Sequence, residues 1–451
     1  MPLLRHLLAL VALLAITIEP AMAQSVLRDA ETEALLDDLA APLVEAAGLE
    51  PGNVDIVLIN DPSINAFVAG GQIVYIHSGL IDAADNADEV QGVIAHELGH
   101  ITGGHIIRYG EGFSKSANIS ILSLILAVGA AVAGAPDAAA GVLAAGQQAA
   151  VGKFLAFTRV QESSADAAGA EYLSKAGISG RGSLAFFKKL QNREFRYGYS
   201  QDDEATFGRT HPLSGDRIAT LRESYIVDPA WEKPVDPELQ RRFLRVKGKL
   251  AGFLSRPSDT LQVYNESMTG VPARYARAYA HHKDARVDLA LNEVDTLLAG
   301  APKDPYFLEL KGQVLLESGR PQEALESLRL ATELSGSNSL IAGMFGHALI
   351  ATEDPVHFEE AEDVLKSAVS RDRQNPFAWF QLGQIYAAQG DMPRARLASA
   401  EQQIMRRQYA EAMMSAGFAE AGLPTGSPDW LRAQDIGLQA RSELERDKKR
   451  R

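Results

Sequence analysis

Residues His96-Glu97-Leu98-Gly99-His100 form an H-E-x-x-H pattern. On a helix, positions i and i+4 project from one face, so both imidazoles can hold a single zinc ion. Glu97 sits one position round and can act as a general base on an attacking water without ligating the metal itself. The chemistry implied is metal-assisted hydrolysis. A catalytic zinc takes three protein ligands and keeps one position open, so a third ligand must come from elsewhere. The extended pattern H-E-x-x-H-x-x-G-x-x-H is one source. Gly103 fits its glycine, but position 106 is Ile106, and His105 is one residue off. That offset turns His105 about 100° away on a continuing helix. The better candidate lies in Glu162-Ser163-Ser164-Ala165-Asp166. Glu162 and Asp166 again face the same way. One can ligate, and the other can accept a hydrogen bond from a ligand imidazole and fix its tautomer. Taken alone, the pair also reads as a solvated acidic face.

These residues need elements to position them. The H-E-x-x-H pattern falls on a helix that should start near Asn86, with Glu89 completing a capping box. Ahead of it, residues 29–48 carry Leu35, Leu36, Leu39, Leu43 and Val44 at helical spacing. Val54 to Ile59 reads as a strand ended by Asp61-Pro62. Ala66-Phe67-Val68 and Gln72 to Ile76 flank Gly70-Gly71, the signature of a hairpin. Helical pattern returns over 151–175 and 182–194. Phe195 to Thr210 reads as an irregular loop, and Ser214 caps a helix to about Ser224. Asp228-Pro229 and Lys233 to Pro237 form a linker, followed by a helix over 238–254.

The last third repeats. Ala278, Gly312, Gly346 and Gly383 recur at spacings of 34, 34 and 37, and alanines recur at Ala290, Ala324, Ala361 and Ala395. A three-residue insertion near 353–358 accounts for the longer interval. Trp379-x2-Leu382-Gly383-x2-Tyr386 matches the tetratricopeptide signature. Small residues at these positions let paired helices approach closely, and stacking buries what one pair cannot. Residues 393–421 and 430–445 read as terminal helices and cap.

The chain has 451 residues, 46% hydrophobic and 23% charged, with a net charge of −14. The acidic balance argues against nucleic-acid binding, which needs a basic surface. There is no cysteine, which excludes disulfides, thiolate ligands, a thiol nucleophile and a lipidated cysteine. Arg5-His6, the apolar run Leu7–Ile18 and Ala21-Met22-Ala23 have the order of a signal peptide, cleaved after Ala23. Residues 116–152 carry one charge, Asp137. The first part is long enough to cross a bilayer, while the second is too short and weakly apolar. A helical hairpin packed over the catalytic domain, or resting on a membrane surface, is favoured over one spanning a membrane.

Taken together, the chain resembles the HtpX and CAAX-prenyl-protease family of zinc metallopeptidases, and within it the periplasmic BepA-like members with C-terminal tetratricopeptide repeats. The matching residues are Asn65-Ala66-Phe67, Gly70 to Val74, Ser78 to Ile81, Val93 to His100, Glu162-x3-Asp166, and Thr210 to Leu213 with Arg217. The resemblance implies an α+β, mostly α protein. A zincin-like domain with a small β-sheet would span 24–235, with 116–152 as an apolar insertion. Connecting helices over 236–265 and a repeat solenoid over 266–451 would follow. It implies one zinc ion per chain on His96, His100 and Glu162, with Glu97 as base and Asp166 as supporting partner. The strand around Ile73, Val74 and Tyr75 would be an edge on which an extended substrate pairs. His211, Arg217 or Tyr172 could serve the oxyanion, and Arg217 could contact substrate. His211 could instead close the site as a removable fourth ligand.

The activity expected is periplasmic zinc-dependent endopeptidase, with the repeats recruiting partners. By resemblance those are misfolded or stalled outer-membrane β-barrel proteins and the outer-membrane assembly machinery. The rival reading is a chaperone or scaffold of that assembly with a vestigial site. Glu97 argues for the enzyme, because a structural zinc needs no general base. An integral-membrane protease is a third reading.

Overall fold

The structure, a computed structural model, describes residues 25–105, 136–197, 211 and 214–450. The signal peptide expected over 1–23, the part of the apolar insertion at 116–135, and Thr210, Pro212 and Leu213 lie outside the described residues. The described residues form two compact units, those up to Leu27 with those between Leu36 and Gln240, and Arg28–Leu35 with those from Arg241 onward. Residues 28–35 therefore group with the C-terminal unit, not with the one that follows them in sequence.

In the first unit, β1 (Ser25–Leu27), β2 (Asp55–Asn60), β3 (Ala66–Ala69) and β4 (Ile73–His77) form one sheet in the order β1-β2-β4-β3. Gly70 and Gly71 take positive φ of 65° and 106°, conformations open to glycine, and turn β3 back on β4 as the sequence predicts. The hairpin pairs Ala66 with Ile76 and Phe67 with Tyr75. On its other side β4 runs parallel to β2, Ile56 opposite Val74. The strand at 73–75 is thus interior. The expectation that Ile73, Val74 and Tyr75 form an edge is overturned, because the hairpin itself covers that side. Among the described residues, the free edge there is β3. Val74 is fully buried, so its side chain is core.

Helix α1 (Ala30–Ala46) buries Leu36, Leu39 and Leu43 in this unit. After the short α2 (Ser78–Ala83) comes α3 (Ala87–Thr102), buried from Ala87 to His100. Asn86 Oδ1 accepts the Glu89 amide at 3.0 Å. The Glu89 carboxylate accepts from Asp85 N, not Asn86 N, so the capping box closes one residue early. Residues 136–176 form a single 41-residue helix, α4, where the sequence reading expected separate segments. Alanine-rich and glutamine-rich turns propagate a helix without a break. Helix α5 (Arg181–Tyr197) runs three residues past the predicted loop start, and α6 (Gly215–Ile226) begins on the Ser214 cap. Among the described residues, no helix is long and apolar enough to cross a membrane.

The second unit contains α7 (Pro237–Leu254), whose first residues belong to the other unit, and α8 (Pro257–Val263). Four helix pairs follow: α9 (Val271–Lys283) with α10 (Val287–Gly300), α11 (Pro305–Glu317) with α12 (Pro321–Leu334), α13 (Ser339–Ala351) with α14 (Phe358–Arg371), and α15 (Pro376–Ala388) with α16 (Met392–Met405). Proline at the first helical position, as at Pro305 and Pro376, loses only an amide that has no intrahelical acceptor. Asp304 and Asn375 cap the same helices. Two of the anchors work as the repeat argument requires, while a Cβ on the third glycine, Gly383, would find its nearest neighbour at an ordinary 3.5 Å. A Cβ on Gly312 would sit 2.3 Å from Leu328, and one on Gly346 2.5 Å from Leu365. The predicted insertion is a 3-10 turn at Pro355–His357. The run expected over 393–421 breaks at 406–408, giving α16 and α17 (Tyr409–Gly422), and α18 (Pro428–Arg450) closes the unit. Trp379, a signature position, is only half-buried, whereas Leu382 and Phe345 are 2% exposed.

One buried acid in this unit gives a pH signature. Burial pushes Glu309 up to about 8 from its ordinary 4.5, against the pull of Lys249. An acid raised on folding contributes stability that is full below its unfolded pKa and lost as pH rises through the folded value. Urea unfolding of wild type should therefore show this unit weakening between about pH 4.5 and 8. Glu309→Gln, which cannot ionise, should gain more over wild type at pH 8.5 than at pH 5. An equal difference at both pH values would exclude a neutral Glu309.

Candidate active site

Close helix packing assembles the site. A Cβ on Gly99 would lie 2.6 Å from the Ala165 carbonyl, and one on Gly169 3.1 Å from the backbone of Ala95 and His96. These two glycines let α3 and α4 touch at the backbone. The Glu162 and Asp166 side chains thereby reach His96 and His100 from more than sixty positions away in sequence. A second close approach, Gly92 on Ser183 and Gly182 on Asp88, brings α5 against α3. Phe187 of α5 then packs edge-on against the His96 ring at 5.7 Å. Gly99→Ala is expected to force α3 and α4 apart, costing about 1–3 kcal/mol. It should weaken metal uptake, read by denaturant unfolding and metal titration. Unchanged metal affinity would mean the crossing tolerates a methyl group.

His96, His100, Glu162 and His211 each offer one donor atom, and these atoms lie within 4.8 Å of one another. His96 Nε2 is 3.1 Å from His100 Nε2 and 3.2 Å from His211 Nδ1. Glu162 oxygens are 3.4 Å from His96 Nε2, 3.5 Å from His100 Nε2 and 3.1 Å from His211 Nδ1. Metal–ligand bonds of 2.0–2.1 Å put tetrahedral donors about 3.3 Å apart. Five of the six donor pairs lie near that spacing and all lie within 4.8 Å, so the four groups can surround a single small cation.

Both Glu97 oxygens are buried without a hydrogen-bond partner among the described residues, and the nearer one is 3.5 Å from His211 Nε2. Burial raises the Glu97 carboxyl above the usual range, outweighing the pull of His211 and His96. Such a carboxylate is a stronger base than an exposed one. Burial, with His96 and His211 beside it, pushes His100 down to about 2, whereas against burial the Asp166 and Glu162 carboxylates push His96 up to about 10. Burial works the other way on Glu162 and Asp166. There His211 and His96 prevail at Glu162, and Arg217 and His96 at Asp166, and hold both carboxyls below the usual range.

The outer partners are equally specific. Asp166 Oδ1 lies 3.0 Å from His96 Nδ1, on the far side of the ring from the cluster. His105 Nδ1 is 2.9 Å from His100 Nδ1. His105, which the sequence excludes as a ligand, thus braces one. Arg217 grips Asp166 with two hydrogen bonds, 2.7 and 2.8 Å, and reaches Glu162 at 3.1 Å. It is 7% exposed. Its guanidinium orients the acids, which leaves it poorly placed for the substrate or oxyanion roles expected of it. Tyr172 meets Thr102 Oγ1 at 2.8 Å near the end of α3 and braces the helix. Nothing in the sequence flagged Phe187, which shares no motif or spacing with the histidines it supports.

Residues 27–225 match the description of peptidase family M48, and residues 275–339 and 356–411 match the tetratricopeptide repeat. The chain is 26% identical over 403 residues to the beta-barrel assembly-enhancing protease of Escherichia coli (strain K12), covering 87% of this chain and 79% of that one. It is 26% identical over 385 residues to the protein of the same name from Yersinia pestis, covering 83% and 76%. The metalloprotease LoiP of Escherichia coli (strain K12) is 29% identical over 182 residues, covering 40% of this chain and 65% of LoiP. With the four-donor cluster in place, the chain carries a metallopeptidase domain of the peptidase family M48 type over residues 27–225, with tetratricopeptide repeats behind it.

Proposed function

We propose that the protein is a periplasmic zinc endopeptidase acting in quality control and assembly of outer-membrane proteins. The peptidase domain would span 24–235 and the repeats 266–451, joined by connecting helices over 236–265. The observation that carries the catalytic reading is the four-donor cluster with a buried Glu97 carboxylate beside it that has no hydrogen-bond partner among the described residues. His96, His100 and Glu162 would hold one zinc ion. When bound, the ion supplies Lewis-acid polarisation of a scissile carbonyl and lowers the pKa of water. Glu97 takes a proton from the attacking water and delivers it to the leaving amine nitrogen. Asp166 holds His96 in the tautomer that presents Nε2, and Arg217 holds Asp166. An extended substrate would pair with the free edge of β3, Ala66–Ala69.

His211 has its Nδ1 within 3.2 Å of both His96 and Glu162, the place of a fourth ligand. We assign it to closing the site until substrate displaces it. His211→Ala should keep the metal on three ligands and raise hydrolysis of an unfolded substrate. A fall of about 10²-fold would assign His211 to the oxyanion instead.

The partners would be misfolded or stalled outer-membrane β-barrel proteins and their assembly machinery, in keeping with the name of the similar beta-barrel assembly-enhancing proteases. Residues 116–152 would add peripheral membrane contact. Metal analysis of the purified protein, with cleavage of an unfolded outer-membrane protein, tests the whole reading. One zinc per chain and chelator-sensitive cleavage are expected. Metal without cleavage would favour the scaffold role.

A further inference from the structure

The N-terminal residues of α1 lie on the repeats. Within the second unit, Lys249 Nζ meets Asp29 Oδ2 at 2.5 Å and Glu31 Oε2 at 3.4 Å. Arg245 pairs with the same Glu31 and, through two hydrogen bonds of 2.5 and 2.7 Å, with Asp304. Its guanidinium lies 4.1 Å from the Phe307 ring centre. Tyr275 donates its hydroxyl to Glu31 at 2.8 Å. Ala30 packs with Leu308, Ala331 and Ile341, and Arg28 reaches Asp372 at 2.9 Å.

The order of these partners is informative. Tyr275 is on α9, Asp304 and Leu308 begin α11, Ile341 is on α13, and Asp372 follows α14. From Arg245 and Lys249 on α7, ahead of the repeats, the segment runs along the first helices of three successive repeats, with Ala331 of α12 beside it, the kind of continuous surface that stacked repeats use for peptides. It is held there as a peptide would be. Two acidic side chains at i and i+2 are read by a lysine, an arginine and a tyrosine hydroxyl, with a small apolar residue between them. Lys249 is 3% exposed and Glu31 5%. An ammonium so buried demands a carboxylate partner, so this face stays filled unless another acidic segment takes the place.

We propose that Arg28–Leu35 is an intramolecular ligand of the repeats, occupying a face that binds acidic, helix-forming segments of partner proteins. This deepens the reading of the repeats as a recruiting surface and rests on it. Tethering gives the segment a millimolar-scale effective concentration, so a partner must outcompete it or meet the protein with the segment displaced.

The test uses the full chain in a Glu97→Gln background, so that the probe is not cut. The probe is a fluorescein-labelled peptide of residues 25–35. Asp29→Lys with Glu31→Lys should expel the chain's own segment. Hydrogen exchange should then rise in α9, α11 and α13 but not in α17 and α18. The peptide should bind at least tenfold more tightly than to the chain with native Asp29 and Glu31. A peptide carrying the same two lysines should not bind. The milder Asp29→Asn with Glu31→Gln should give the same pattern more weakly. Equal peptide binding to both proteins, or none to either, would overturn the proposal. So would global unfolding of both variants, since the segment would then be core and not a removable ligand. None of these outcomes depends on peptidase activity, so a failure here leaves that reading standing. Failure to capture outer-membrane proteins would instead count against the recruiting role.

Discussion

Glu97→Gln is expected to keep the metal and lose hydrolysis by about 10²–10⁴-fold, the usual worth of a positioned general base. Glutamine preserves the shape of the side chain and removes only its capacity to accept a proton. The metal should stay because Glu97 is not among the four clustered donors. The fold should not suffer, since both carboxylate oxygens are buried without a hydrogen-bond partner among the described residues. Burial outweighs the pull of His211 and His96 on this carboxylate, so removing its charge is neutral to stabilising, and thermal unfolding should move to the same or a higher temperature. Metal content, turnover and melting temperature of one variant therefore have three stated directions. Wild-type turnover with metal bound would refute the assignment of Glu97 as base.

The parts of this site that could be read from sequence are local ones. Asn86 and Glu89 announce the start of the H-E-x-x-H helix because a cap is satisfied within one turn. Gly70-Gly71 announces the hairpin because only that turn chemistry closes it. Which strand is the edge depends instead on β2 pairing in parallel with β4 across an intervening strand, and no local pattern encodes that pairing. The role of Arg217 was hidden for the same reason. Its partner Asp166 is 51 residues away, and a lone arginine reads equally well as a substrate contact. Gly99 looked like one variable position of a motif. Only the helix crossing reveals it as the contact that brings Ala165, and with it Glu162 and Asp166, against the histidines. Trp379 stands at a signature position, yet the structure leaves it half-buried with its indole N–H on the Arg373 carbonyl. A signature records a residue type in register, not how far neighbouring helices cover it.

Glu162→Ala is expected to lower metal affinity by well over 100-fold, more than the 10–100-fold typical of a supporting partner such as Asp166, and to abolish hydrolysis. Three imidazoles would remain within reach of the cation, and three histidines can in general hold zinc. Charge decides against that rescue here. The imidazoles are neutral as ligands, whereas Glu162 supplies a negative charge at a position 3% exposed. It also stands between the cluster and Arg217, whose Nη1 is 3.1 Å from its Oε2. Remove it, and a guanidinium faces the cation site with no carboxylate between, in surroundings where like charges are poorly screened. Two further substitutions separate loss of a donor from loss of charge. Glu162→Gln keeps an oxygen donor but not the charge, and should bind metal almost as poorly as the alanine variant. Glu162→Ala with Arg217→Met removes the opposing cation, and should recover part of the affinity while hydrolysis stays absent. Chelator-competition titration of the three proteins reads all of this. Near-wild-type affinity in Glu162→Gln, or no recovery in the double variant, would show that the carboxylate acts as a donor alone and that its charge does not set the affinity of the site.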